Sequence, residues 1–389
     1  MPLDTLIFDP SPCGFPKPRV PLLPTGFDGI ALQATPAWAP ATHFRHFTRG
    51  RYALREAYRL AGIGPGSALL APAYHCRTML DPALALGGDV RLYPLQPDLS
   101  PDLAAIETLA KNSPVPIKAL LATHFFGIPQ DFAALAAWCL ARSITLIEDC
   151  SHAFVTEQHR PADIGTYGEF VVSSPYKFLP TPDGGLLYAR DATVLDNIHP
   201  AVPSWLAELR GIVHLWSKAA EQQRNRRTLD VPTEFPAPTP AGIDRHETAG
   251  CSSDYRSAEE NLGSLRTSRW LCRHADIETV GRRRRENYQR WSAATQNLPH
   301  CRPLYPELPA DSIPYMFPLR IDAPQTQFYP LKRMGLPIWR WDSIAASTCP
   351  IASDYRLHLL HLPCHQSLDD RELDWMIATV QKVGADGTA

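Results

Sequence analysis

The 389-residue chain lacks long apolar runs: nowhere do about 18 apolar residues follow one another, so no membrane-spanning helix is expected. It also lacks a charge excess. With 38 basic and 40 acidic residues and a formal net charge of −2, no electrostatic footprint for nucleic acid or an anionic membrane is expected. Paired Cys-x-x-Cys motifs are absent, and the nine cysteines form an odd, scattered set, as expected of reduced thiols in a cytoplasmic enzyme. No Gly-x-Gly-x-x-Gly follows the first strands, which sets aside an NAD-type oxidoreductase. The start, MPLDTLIFDPSPCGF, has neither a basic opening nor an apolar h-region, so no secretory signal is expected. Proline, in contrast, is abundant: 39 residues, roughly twice the average share.

Nine of the prolines fall in residues 1–40, which predicts an extended arm over residues 1–44 laid on the body or a partner subunit rather than a core element. From Thr48 the pattern changes. Apolar positions three and four apart over 51–60 predict a helix that stops at Gly62. Short apolar runs at 68–71, 90–93, 119–123, 144–147, 170–172 and 186–188 predict strands, with helices between the first of them; Ser100-Pro101 reads as one helix start. Strands nearly continuous in apolar residues and alternating with helices predict a mostly parallel sheet covered on both faces. A large domain is expected over 45–250, with a helical insertion near 191–245, and a smaller α+β domain over 251–389. The latter is expected to hold helices at 258–280, 283–295 and 368–383 and strands at 315–321 and 335–339.

Ligands of such sheets sit at the carboxyl ends of the strands. There the chain places Asp149, His152 and, past the next strand, Ser174 and Lys177. An acid and a lysine so disposed suit a cofactor with a basic ring nitrogen and an aldehyde, pyridoxal 5′-phosphate (PLP). In this reading Lys177 forms the imine, Asp149 keeps the ring nitrogen protonated, and Ser174 donates to the phosphate. Thr48, Gly50 and Arg51, at the start of the first helix, add backbone amides and the helix dipole. Each residue has a plainer alternative. Lys177 can be a surface lysine, Asp149 can cap the next helix, and His152 can hydrogen-bond the phenolic oxygen or support its loop.

Several blocks together resemble the DegT/StrS family of sugar aminotransferases, which have the α/β fold of fold type I PLP enzymes: a mostly parallel seven-stranded sheet and a smaller C-terminal α+β domain. The blocks are GRYALREAYRLAGIGPGSALLAPAYHC, ATHFFGIPQDFAAL, LIEDCSHAF, GEFVVSSPYKFLPTPDGGLL and HLPCHQSLDDRELDWM. The resemblance implies that Lys177 is the Schiff-base lysine, Asp149 the partner of the ring nitrogen and His152 the partner of the phenolic oxygen. It places Tyr74, His75 or Cys76 against the ring, with His75 favoured. It also implies a homodimer with the site at or near the subunit interface, an amino-acid donor, expected to be glutamate, and a keto acceptor, expected to be a nucleotide-linked keto-sugar. The chain departs from the family in Thr48-Arg49-Gly50-Arg51, in Asp183-Gly184-Gly185, and in residues 191–250, which have no family counterpart. Another PLP reaction on the same scaffold, or a non-catalytic regulator, remains an alternative.

Other clusters read more plainly. Cys349, His358, His361, Cys364 and His365 fit no common zinc spacing. Arg282 to Arg285 reads as a solvated helix face, with phosphate binding the alternative. Arg340, between Trp339 and Trp341, either holds a substrate carboxylate, together with Tyr74, or points outward from two packed tryptophans. The apolar half of the helix beginning near Ser204 predicts a dimer interface, with peripheral membrane contact the alternative.

Overall fold

The computed structural model describes residues 2–26, 31–32, 41–230, 240–310 and 312–385. In chain order its elements begin with β1 (Leu3–Asp9), β2 (Phe44–Phe47), α1 (Gly50–Leu60), β3 (Ala68–Pro72), α2 (Arg77–Ala85), β4 (Asp89–Tyr93), α3 (Leu103–Lys111), β5 (Ile117–Thr123) and α4 (Ala133–Leu140). They continue with β6 (Thr145–Cys150), β7 (Phe170–Ser173), β8 (Gly185–Ala189), α5 (Trp205–Arg226), β9 (Ile243–Ala249), α6 (Arg266–His274) and α7 (Ile277–Thr295). The last are β10 (Cys301–Pro303), β11 (Met316–Ile321), α8 (Pro324–Arg333), β12 (Ile344–Ala345), α9 (Pro350–His358), β13 (Leu359–Pro363) and α10 (Asp370–Ala385).

A seven-stranded sheet in the order β2-β8-β7-β6-β5-β3-β4 forms the large body. From β7 to β4 neighbouring strands run parallel, while β8 and β2 close one edge antiparallel. Every residue of β3 is buried, and β6 is buried from Leu146 onward, as expected of strands covered on both faces. The chain passes from β3 out to β4 and then back across β3 to β5. The strand order reverses there, and the carboxyl ends of β3, β5 and β6 open onto a crevice. A second sheet, β10-β11-β13, is antiparallel and packs with α7, α8 and α10 around a separate apolar cluster.

The N-terminal arm differs from expectation. Leu3–Asp9 pairs antiparallel with both β9 and β12, and Phe8, Cys13 and Val20 are buried in the apolar cluster of the second sheet. Leu3–Asp9 contains no proline, since Pro2 precedes it and Pro10 follows it, so the arm's prolines cost this strand no ladder hydrogen bond. Of the helical insertion expected near 191–245, residues 231–239 lie outside those described, and β9 opens at Ile243.

Three local expectations also change. The cap of α3 is Asp102, whose carboxylate accepts from the Ala105 N–H at 3.0 Å, while Ser100 donates to Asp98. The helices expected over 258–280 and 283–295 form instead at 266–274 and 277–295, because Asp276 caps the second by accepting from Glu278 N–H. Residues 335–339 do not form a strand: Gly335 has φ +83°, Pro337 has no N–H, and only Trp339 bridges to His361.

Candidate active site

Lys177 lies on a tight turn after β7. Ser174 precedes a proline, which disfavours a helical conformation there, and Pro175 then opens one turn of 3₁₀ helix in which Lys177 N–H donates to Ser174 O at 3.0 Å. On the neighbouring strand Asp149 is paired with Thr123 and Val172, is 2 % exposed, and accepts from Ser151 N–H at 2.8 Å. One cavity is lined by both, together with Gly50, Arg51, His152 and Ser174. The two hydroxyls Ser174 Oγ and Ser151 Oγ are 3.0 Å apart, facing the first turn of α1, whose cap residue Arg49 offers it no side-chain hydrogen bond.

His152 is fully buried, and burial, then the charge of Lys177, hold its pKa well below the usual imidazole range. Its Nδ1 accepts from Phe126 N–H at a long 3.5 Å, which leaves the proton of the neutral ring on Nε2 as a donor. The ring stacks on Tyr315 at 4.4 Å between centroids, and Lys177 Nζ lies 5.2 Å from the same ring.

The residues present fit a phosphorylated pyridine aldehyde in their donor set. Thr123 Oγ1 is buried without a partner beside Asp149. At Gly50 an added Cβ would collide with Ser174 Oγ and stand 3.3 Å from Ser151 Oγ, so the absent side chain keeps open the space in front of the helix N-terminus. The enclosed volume is about 30 Å³, room for one or two waters.

Four of the residues expected at the site fall elsewhere. His75 does not line the cavity; its Nδ1 faces the Pro72 and Ala73 carbonyls and its Nε2 accepts from Ala345 N–H at 3.0 Å, tying β3 to β12. Cys76, one residue on, is the one of the three consecutive candidates that faces the cavity. Tyr74 is buried behind Trp341, with its hydroxyl 2.8 Å from His361 Nε2. Arg340 is held by Asp342 at 3.2 Å and lies 3.6 Å over the Phe328 ring, against the second apolar cluster rather than at the lysine. Thr48 is not among the lining residues; its carbonyl accepts from Gly184 N–H at 2.8 Å and so fixes the approach to Gly50.

Sequence reasoning passed over two residues that matter. Trp341 lines the cavity and lies 5.3 Å from the His152 ring. Arg284, in the run read as a solvated face, is fully buried. Its guanidinium donates to the carbonyls of Pro314, Tyr315, Lys177 and Phe178 and to Gln366 Oε1, and it lies 4.6 Å over the Phe178 ring. Burial lowers its pKa to about 10. Its spacing of four residues from Val280 and Tyr288 and seven from Trp291, all buried on one helix face, is the signal that would have found it. A further group, His124, Glu148 and Cys150, sits within metal-binding reach, but Glu148 is already occupied by His124 and three backbone N–H groups, of Gly165, Tyr167 and Gly168.

Helices on both faces of this sheet, with the small antiparallel sheet beside it, give the fold of fold type I PLP-dependent enzymes. The aminotransferase TlmJ from Streptoalloteichus hindustanus superposes with a TM-score of 0.60 at 20% identity, covering 91% of this chain and 88% of that one. NtdA from Bacillus subtilis, solved with bound cofactor PMP, gives 0.58 at 15% identity, covering 88% and 73%. Residues 37–211 match the model of the DegT/DnrJ/EryC1/StrS aminotransferase family, to which the chain is related in sequence. A dTDP-4-dehydro-2,3,6-trideoxy-D-glucose 4-aminotransferase of Saccharopolyspora spinosa is 29% identical over 145 residues, 36% of this chain and 37% of that protein. The chain spans less than half the length of the curated relatives it matches.

Proposed function

We propose that the chain is a PLP-dependent aminotransferase that moves an amino group from an amino acid, glutamate, to a keto acceptor of the nucleotide-linked keto-sugar class. The observation that carries this reading is the convergence of Lys177, Asp149, His152, Ser151 and Ser174 on one cavity at the carboxyl ends of adjacent strands. The family match and the aminotransferase names of the relatives support it.

When bound, the cofactor supplies an aldehyde and an electron-withdrawing ring. The chain's own groups then divide the work. Asp149, buried and oriented by Ser151 N–H, holds a proton on the ring nitrogen. His152 Nε2 donates to the phenolic oxygen, and Ser151, Ser174 and the first turn of α1 hold the phosphate. Lys177 Nζ would be the amine that holds the aldehyde and the group that moves a proton at the donor carbon as general base and acid.

The exposed apolar side of α5, with Trp205 77% and Trp216 70% exposed, supports a homodimer covering that face. Nine free cysteines, and no helix among the described residues long and apolar enough to cross a membrane, support a cytoplasmic setting.

An absorbance spectrum of the purified protein tests the reaction class. Glutamate should move the visible cofactor band into the near ultraviolet, and a keto acid should restore it. A band that glutamate leaves in place contradicts transamination and favours another PLP reaction.

A further inference from the structure

The run Trp339-Arg340-Trp341 faces two cavities. Trp341 lines the lysine cavity, whereas Trp339 and Arg340 line another of about 560 Å³ beside the apolar cluster of the second sheet. Its volume lies within the ~300–1,000 Å³ of small-molecule sites. One wall is the N-terminal segment 8–15 and the other is the stretch 328–342, so its lining lies outside the family-matched residues 37–211. The function proposed above uses none of these residues.

The N-terminal wall is fastened. Phe8 N–H donates to Ser343 Oγ at 3.3 Å, Arg333 Nη1 donates to Gly14 O at 2.9 Å, and the Phe15 ring meets Phe328 edge-on at 5.9 Å. The cavity is therefore pre-formed, and filling it costs little ordering of the chain.

Four charged side chains line it, and three of them are already matched. Asp9 is bound to Arg245, and Asp342 accepts from Arg340 Nε at 3.2 Å. Lys332 is the exception. Its Nζ reaches the Ile338 carbonyl at a long 3.4 Å, and among the described residues no carboxylate lies within ion-pair distance of it. Burial lowers its pKa even though Asp342 opposes the shift. A largely enclosed ammonium without a counter-ion gains from a ligand that brings one. Arg340, whose side chain is 2% exposed, donates through Nη1 to Leu357 O at 3.2 Å, and its Nη2 has no hydrogen bond among the described residues.

The rest of the lining is strongly aromatic. Phe8, Phe15, Phe328 and the half-exposed Trp339 contribute rings, with the Arg340 guanidinium 3.6 Å over Phe328 and Lys332 Nζ 5.8 Å from Phe15. One positive charge in excess among rings matches a singly charged anion on a flat aromatic body. A phosphate ester, with close to two charges at about pH 7, would leave one of them unmatched.

We propose that this cavity is a second small-molecule site, separate from the lysine cavity, and that its ligand is an aromatic monocarboxylate. The carboxylate lies at Lys332 and Arg340 Nη2, and the aromatic body lies against Phe15 and Trp339. The assignment does not rest on the aminotransferase reading.

Calorimetric titration of the full-length protein with naphthylacetate tests this, with naphthylethanol as the uncharged control and decahydronaphthylacetate as the non-aromatic one. The variants are Lys332→Met, which removes the excess charge and keeps the apolar stem, and Ser11→Trp, which fills the cavity from its exposed rim. Naphthylacetate should bind, and each substitution should weaken it about tenfold or more with the melting temperature retained. Naphthylethanol should bind about tenfold or more weakly than the acid, decahydronaphthylacetate should also bind more weakly, and Lys177→Ala should bind the acid as the original protein does. No binding of naphthylacetate, or binding indifferent to both substitutions, overturns the proposal. Equal binding of either control overturns it too, because the cation or the rings would then contribute nothing. Binding lost in Lys177→Ala would place the acid in the lysine cavity and overturn the separate site.

Discussion

At the scale of single residues the site depends on what is missing as much as on what is present. Gly50 stands at the start of α1, where alanine would ordinarily favour the helix, yet its added Cβ would collide with Ser174 Oγ. Gly50→Ala should therefore leave the melting temperature of the cofactor-free protein near its original value while weakening PLP binding about tenfold or more. That is the size of one charge-assisted hydrogen bond, about 1.5–3 kcal/mol. Titrating cofactor-free protein with PLP checks it, and unchanged affinity contradicts the phosphate position. This residue could be read from sequence, because strand-end chemistry points to the first turn of a nearby helix. His75 could not. Tyr74, His75 and Cys76 are consecutive, and which of them faces the cavity is decided by the Ala345 N–H that captures the His75 ring from 270 positions away.

At the scale of elements the lysine turn is held by α7. Arg284 joins the Lys177 and Phe178 carbonyls of the large sheet's loop to Pro314, Tyr315 and Gln366 of the second sheet's side. Replacing it with methionine keeps the apolar stem but leaves several buried acceptors without donors, at about 1–3 kcal/mol for each one that water cannot reach. Arg284→Met is expected to lower stability by at least about 3 kcal/mol in denaturant titrations, and Arg284→Lys by less, since lysine keeps the charge but not the fork. A neutral outcome for both would show that the turn is set by Pro175 alone. The elements themselves were largely legible, because buried parallel strands and capped helices announce themselves locally. The break between α6 and α7 was less so: Asp276 caps a helix inside what periodicity reads as one polar stretch. Arg284 was hidden for a different reason, since a buried cation among exposed ones is distinguished only by the partners that surround it.

At the scale of the molecule, pH is a lever. Burial lowers the pKa of His75 and His159 to about 4 and of His361 and His365 to about 3. These rings stay neutral in the fold where the unfolded chain, titrating near 6.5, binds protons. Unfolding thus takes up protons below about pH 6.5, and stability falls as pH drops from there toward 4. Glu157 acts over a lower window. Burial raises its pKa, but His46 and Arg273 more than offset that and hold it at about 2, so its contribution is present above about pH 4.5 and lost toward 2. Melting temperature should therefore decline more between about pH 7 and about pH 5 than between about pH 8 and about pH 7. A flat profile would mean that the histidines are not buried in solution. The sequence shows fourteen histidines but not which are enclosed, because enclosure comes from residues distant in the chain: Ala345 closes over His75, and Pro21 of the N-terminal segment lies against His365.

The functional reading turns on one assignment, that Lys177 is the amine facing the cofactor ring. Borohydride reduction of the protein loaded with PLP, followed by mass analysis of its peptides, tests it most directly. The expected result is the cofactor's mass fixed on the peptide that carries Lys177, and none fixed in Lys177→Ala. Label on another lysine, or a reducible visible band that survives in Lys177→Ala, would contradict it.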